Sequence, residues 1–254
     1  MLELYHWEPN AESLALLICL KEKGLEFNSH YVDMMKLEQH SADYKARSPK
    51  SIVPLLVDQG ELMDDTGFAL QYLDERYPQP RLAPATPAEL YDVQAWAAWL
   101  GGVMGGICAD VRLLGWNYVM LNAIPADELA KFRTRVAALP KQLQSGWSAV
   151  WNDAEASEDQ LANAKERIQK MVNRIETSLA ASGWIVGDAY SITDISAFAY
   201  IHTLPELLPD MVNNDNTPNI MQWLAAINGR SAVKDALALR QSTIARDVYP
   251  APGT

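Results

Sequence analysis

The sequence predicts an α/β domain followed by an all-α domain, and three observations carry that prediction. Residues 1–78 alternate short strand-like runs with helix-like ones, in the order strand, helix, strand, strand, strand, helix. Residues 79–88, QPRLAPATPA, form a proline-rich connector. Residues 89–254 read as helices.

The first run, LELYHW, is short, apolar and aromatic, and reads as a strand. The polar turn EPNAES follows, and LALLICLKEKG then fits a helix that Gly24 closes. Ser13 thus lies where a helix begins. A hydroxyl there caps free backbone N–H groups, and the positive end of the helix dipole favours an anion beside it. FNSHYVD alternates as a second strand, so its return after one helix implies a parallel, right-handed crossover. MMKLEQHSADYKARSPKS is a long polar connection with weak helical content, of a length that compact domains usually keep for function.

IVPLLVDQGELMDD reads strand, Asp-Gln-Gly turn, strand, with Pro54 the anomaly inside an apolar run. Proline donates no ladder hydrogen bond, so it belongs at a strand start or edge. Two readings fit. One is an ordinary trans bond at a strand entry, the common state of X-Pro bonds; the other is a cis Val53-Pro54 bond in a turn, leaving the Val53 backbone to pair elsewhere. DDTGFALQYLDERYP completes the first domain. Ala69, Leu70, Leu73 and Tyr77 recur at helical spacing, with Asp65 and Thr66 near the start and Pro78 closing it.

In the second domain, LYDVQAWAAWLGGVMGGICADVRLLGW is one long helix or a broken pair, with Trp96, Trp99 and Leu100 on neighbouring faces. Gly101, Gly102, Gly105 and Gly106 would weaken a helix by roughly 1 kcal/mol each relative to alanine. Close approach of another helix, including one across a dimer interface, would account for them. So would room for a bulky aromatic ligand at the domain junction. IPADELAKFRTRVAALP and residues 155–181 are amphipathic helices with solvated charged faces. TPNIMQWLAAIN has Thr217 as cap, Pro218 at the first helical position, and Met221, Leu224 and Ile227 on one face.

Composition limits what such a chain can do. At 254 residues and 49% hydrophobic content it buries a sizeable core. A formal charge of −11 and a pI near 4.8 argue against tracking nucleic-acid phosphates or an acidic membrane surface. Cys19 and Cys108 suggest neither a disulfide framework nor a zinc cluster, and fit a reducing cytosol. No secretory leader or membrane-spanning run stands out, so a soluble cytoplasmic protein is expected. His6, His30, His40 and His202 lack metal-ligand spacing, and no metal is expected. GGVMGG lacks the lysine of a phosphate loop, and EPNAES lacks a Cys-x-x-Cys pair.

The turn-helix serine, the Val-Pro step, and an acidic-hydroxyl pair opening a helix that runs into YLDERYP resemble the glutathione-binding half of the glutathione transferase superfamily, a thioredoxin-like domain. GDAYSITDISAF at 187–198 resembles the superfamily's Ser-x-x-Asp motif at the start of a buried helix. Physically that motif is a capping box, with Ser191 as cap and Asp194 reaching back. LEQHSADY, the LLGW run ending at Trp116, LPKQL with Trp147 after it, and NTPNIMQWLAAINGRSAVK are similar to the bacterial lignin β-etherase branch. That branch cleaves β-aryl ether bonds with glutathione.

The resemblance implies glutathione as co-substrate and assigns roles residue by residue. Ser13 would be the catalytic hydroxyl facing the sulfur. The Val53 backbone would pair with the cysteinyl unit beside a cis Pro54. Asp65 and Thr66 would hold the γ-glutamyl end, and His40 the glycyl carboxylate. Trp7, Trp99, Met104 and Trp116 would line an aromatic substrate pocket or, as their type favours, serve as core. A free thiol titrates near 8.5, so half ionisation at neutral pH takes about 2 kcal/mol, which a hydroxyl and a helix start together supply.

Three positions depart from the family pattern. Glu12 stands before Ser13, where relatives carry a small or amide side chain; Asp65 is shorter than the usual glutamate; Ile52 replaces a polar residue. An inward Glu12 carboxylate would raise the thiol pKa and oppose activation. The leading expectation is a glutathione-dependent β-etherase acting on an aromatic ether, as a homodimer or a heterodimer with a related subunit. Alternatives are a subunit with a degraded site that supports an active partner, and a general transferase or isomerase.

Overall fold

The structure, a computed structural model, describes residues 1–111, 124–144 and 157–241. It has the expected two parts, a small mixed sheet with helices and an all-helical remainder. β1 (Leu2–His6) and β2 (Phe27–Tyr31) are parallel, joined through α1 (Ala11–Glu22). The last turn of α1 closes as foreseen at Gly24, whose φ is +61°, with Gly24 N donating to Lys21 O and Leu25 N to Leu20 O.

Two short 3-10 turns, Met34–Lys36 and Glu38–His40, and then α2 (Ala42–Lys45) fill the long polar connection. β3 (Leu55–Asp58) pairs antiparallel with β1, and β4 (Glu61–Met63) antiparallel with β3, giving the order β2-β1-β3-β4. The turn between β3 and β4 places Gln59 at φ +53° and Gly60 at φ +92°, the mirror-image conformation that suits a tight hairpin and needs glycine. α3 (Thr66–Arg76) buries Ala69, Leu70 and Leu73 as its spacing foretold.

One buried cation fastens the connector. Lys23 Nζ donates to Asp74 Oδ1 at 2.7 Å, to Tyr77 O at 2.8 Å and to Pro80 O at 2.9 Å. Asp74 in turn accepts from Leu82 N and Ala83 N. Desolvating both charges is affordable only because these further hydrogen bonds complete the shells of both.

Among the described residues the helical part comprises α4 (Pro87–Val111), α5 (Ala126–Ala137), α6 (Lys141–Gln144), α7 (Glu158–Leu179), α8 (Ile192–Ile201), α9 (Leu204–Leu207), α10 (Pro218–Asn228) and α11 (Ser231–Leu237). α1 is buried from Ser13 to Leu20 because α3, α8 and α11 all pack on it, so one core spans both parts. α4 runs unbroken as far as Val111, with Trp96 and Leu100 buried. Arg174 of α7 lies 4.5 Å and 4.0 Å over the Trp96 and Trp99 rings. A Cβ added at Gly101 or Gly102 would meet nothing within 4 Å. Among the described residues, then, no helix of this chain approaches there. What surrounds Gly105 and Gly106 lies outside the described residues.

Thr217 occupies the N-cap position of α10, but its hydroxyl turns back to Asn213. Glu176 of α7 takes its place, accepting from Asn219 N at 3.0 Å and Ile220 N at 2.8 Å. Glu176→Ala is therefore expected to lower unfolding free energy by about 1–2 kcal/mol, as a cap loss does, measurable as a shifted urea midpoint. Thr217→Ala should not reproduce a loss of helix capping. No helix among the described residues is long and apolar enough to cross a membrane.

Candidate functional site

The sheet register gathers the sequence-predicted residues. His6 pairs with Tyr31, Tyr5 with Leu55, and Leu56 with Met63. The ends of β1, β2 and β4 and the beginning of β3 therefore lie at one end of the sheet. The loop into α1, the connection carrying His40, the Val53-Pro54 step and the start of α3 all leave from that end.

Ser13 is not the cap of α1. The helix starts two residues earlier, so Asn10 holds the N-cap position, without a side-chain cap bond, and Ser13 lies in the first turn. It is 5% exposed, and its Oγ accepts from Trp7 N at 3.4 Å. The first intrahelical bond is Leu14 N to Asn10 O, and among the described residues no backbone acceptor is recorded for the Glu12 and Ser13 N–H groups. These orphan donors and the helix dipole favour an anion at this turn. Ala11 enters the helix at φ +41°, a left-handed value that strains a residue with a Cβ.

Glu12 turns away from the N-terminal domain. Its Oε1 accepts from Tyr200 of α8 at 3.2 Å. Glu12 is exposed, yet partial desolvation by its neighbours raises its carboxyl pKa; the Tyr200 bond opposes the rise, and the nearby charge of Asp65 adds to it.

The Val53-Pro54 bond is cis, the second of the two sequence readings. Tyr44 OH donates to Ile52 O at 2.6 Å, and Ile52 N donates to Ser48 Oγ at 3.0 Å, so α2 and the turn after it grip the residue before Val53. Among the described residues no backbone hydrogen bond to Val53 is recorded, so its N–H and C=O are available to a ligand. The Gln79-Pro80 bond is also cis, and no sequence signal had marked it.

Asp65 caps α3, its Oδ1 accepting from Phe68 N at 2.9 Å, and it is exposed, with Thr66 the first residue of the helix. His40 is half-buried, with Nδ1 buried and unpartnered. Burial, and then the charge of Lys45, hold its pKa below the ordinary imidazole value, which favours the neutral ring. Trp7 is half-buried at the Ser13 turn. The side chain of Met104, and Trp116 and Trp147 altogether, lie outside the described residues.

Two features escaped sequence reasoning. Tyr200 reaches the site from a helix far along the chain. Glu8, in the polar turn EPNAES, is buried and accepts from Tyr31 OH and from Gln241 N. Neither pairing has a local pattern. Cys19 is fully buried in α1, and its thiol is pushed up to about 12 by burial, so it stays un-ionised. Among the described residues no group of three or more histidine, cysteine or acidic side chains could hold a metal.

Comparison with known proteins bears on this arrangement. Residues 4–81 match the family model described as glutathione S-transferase, N-terminal domain, and residues 138–231 that described as glutathione S-transferase, C-terminal domain. Protein LigF of Sphingobium sp. is 30% identical over 242 residues, 92% of each chain. The crystal structure of beta-etherase LigF from Sphingobium sp. superposes with a TM-score of 0.79 at 29% identity, covering 93% of this chain and 98% of that one. Glutathione transferase URE2P8 from Phanerochaete chrysosporium, solved with oxidized glutathione, shares the fold at a TM-score of 0.72 and 17% identity, over 93% of each chain. A probable maleylacetoacetate isomerase of Vibrio cholerae is 37% identical over 97 residues, 37% of this chain and 45% of that protein.

Proposed function

Because the chain belongs to the glutathione S-transferase family, we propose that it cleaves β-aryl ethers by attack of glutathione thiolate on the carbon bearing the aryloxy group. The observation that carries this reading is the likeness to beta-etherase LigF along nearly the whole of both chains. The C–S bond forms as the C–O bond breaks, the aryloxy group leaves as phenolate, and a glutathione thioether remains. A neighbouring ketone makes that carbon a better electrophile, and a phenolate with pKa about 10 leaves without obligatory acid assistance. Catalysis then comes from positioning and from thiolate formation.

The surroundings of Ser13, Val53, Asp65, Thr66 and His40 support the roles proposed for them. The Ser13 hydroxyl, whose lone pair already meets Trp7 N, keeps its own proton for the sulfur. The Val53 backbone pairs with the cysteinyl unit beside Pro54. Thr66 and the start of α3 take the γ-glutamyl carboxylate, while the free oxygen of Asp65 takes its ammonium. A neutral His40 donates to the glycyl carboxylate. Trp7, with Met104 and Trp116, offers aromatic and apolar contact to the aryl groups. Two chains acting together are part of the proposal, supported by the exposed Leu62, Phe68 and Tyr91 and the open Gly101 and Gly102.

Two other readings have specific support. The local identity to a maleylacetoacetate isomerase favours a different electrophile. Glu12 beside Ser13 favours a subunit whose site is impaired. The test is the rate of phenolate release by the purified chain from a β-aryl ether ketone, with and without glutathione, beside parallel assays of cis-trans isomerisation of an unsaturated diacid and of conjugation to a halogenated dinitrobenzene. Release that requires glutathione and exceeds the other two activities is expected. Isomerisation alone would move the assignment to the isomerase class, and no turnover by folded chain would point to a partner subunit.

A further inference from the structure

Glu12 stands between the turn that carries Ser13 and the helical domain. The electrophile must reach the glutathione sulfur past the first turn of α1, and the Glu12 side chain of that turn contacts α8. There the Glu12 carboxylate is held by the Tyr200 hydroxyl at 3.2 Å. Asp65 is a second carboxylate whose charge Glu12 feels. Among the described residues neither forms an ion pair with a lysine, arginine or histidine: Glu12 is bonded to Tyr200 and Asp65 to the Phe68 N–H. The pair thus offers a fixed, uncompensated negative charge together with a hydroxyl. Both carboxylates are exposed, so a substrate hydroxyl entering there finds an acceptor, and a substrate carboxylate finds a repulsion that salt can screen.

We infer that Glu12 and Tyr200 form the selective wall of the electrophile site, which admits uncharged, hydroxyl-bearing substrates and turns away those that carry a carboxylate. This deepens the reading of a glutathione transferase at Ser13 and rests on it. It also gives Glu12 a function where proximity to the sulfur alone would make it a defect.

The experiment compares kcat/KM for two β-aryl ether ketones that differ only in a terminal hydroxyl or carboxylate. Wild type is expected to prefer the hydroxyl substrate by about tenfold or more, the scale of one nearby charge at intermediate dielectric. Glu12→Gln keeps the size and the Tyr200 contact but removes the charge. The preference should fall by about tenfold, chiefly because the carboxylate substrate improves. Tyr200→Phe, which frees the carboxylate to swing into water, should shift the ratio the same way by less. Raising salt to about 1 M should shrink the wild-type ratio and leave that of Glu12→Gln unchanged. A Glu12→Gln ratio equal to wild type, or no preference in wild type, would overturn the inference while leaving glutathione transfer intact. Failure of wild type to conjugate glutathione to either ether or to a halogenated dinitrobenzene would overturn both.

Discussion

Ser13→Ala is expected to reduce glutathione-dependent turnover by about ten- to a hundredfold, the value of one hydrogen bond to a charged group at about 1.5–3 kcal/mol. The hydroxyl lies in the first turn of α1, 5% exposed, with its oxygen receiving Trp7 N and its proton uncommitted. Loss of that proton removes the donor proposed for the thiolate and leaves the helix dipole and the orphan N–H groups in place. Activity should therefore fall without vanishing. The absorbance of bound glutathione near 240 nm, titrated with pH, separates chemistry from folding: the thiol pKa of the bound tripeptide should rise in the variant by about one unit or more, while far-ultraviolet circular dichroism stays as in wild type. An unchanged thiol pKa would show that Ser13 shapes the helix entrance and nothing more.

Asp194→Ala is expected to cause the largest loss of stability, about 3–5 kcal/mol, against a typical domain stability of about 5–15 kcal/mol. Asp194 is fully buried at the start of α8. Its carboxylate accepts from Ile185 N at 3.1 Å, Ser191 N at 2.9 Å, Ser191 Oγ at 3.1 Å and Trp223 Nε1 at 2.9 Å. Burial pushes its pKa up and these donors pull it back. Alanine strands two backbone N–H groups and an indole N–H in the core, each without water. A lower urea midpoint, with the denaturant slope unchanged, is the expected observation. Asn should restore part of the loss, because it returns one acceptor but adds an NH₂ group among donors. A midpoint near wild type for Asp194→Ala would mean that the box is dispensable.

The sequence made the local features of both regions legible. The alternation of LELYHW and FNSHYVD, the Gly24 stop and the Asp-Gln-Gly turn report interactions within a few residues, and each gave its element. The capping box of Ser191 and Asp194 was visible at three-residue spacing, but the additional donor from Trp223 was not. The sequence puts Ser13 at a helix start, where a hydroxyl reads as the cap, but Asn10 holds that position. The left-handed entry at Ala11 begins the helix two residues before Ser13, and no composition rule encodes that conformation. Thr217 failed as a cap for another reason: Glu176, 43 residues away from the amide of Asn219, supplies the same service from a neighbouring helix. Lys23, Glu8 and Tyr200 share that lesson. Each is a polar residue fixed by a partner far along the sequence that only the packed chain brings near.

The most direct test of glutathione-dependent ether cleavage is mass-spectrometric analysis of the products formed by the purified chain from a β-aryl ether ketone and glutathione. Phenol and the glutathione thioether of the ketone fragment are expected in equal amounts, neither appearing without the chain or without glutathione. Phenol released without any thioether, or no release by folded protein supplied with glutathione, would contradict thiolate displacement by this chain.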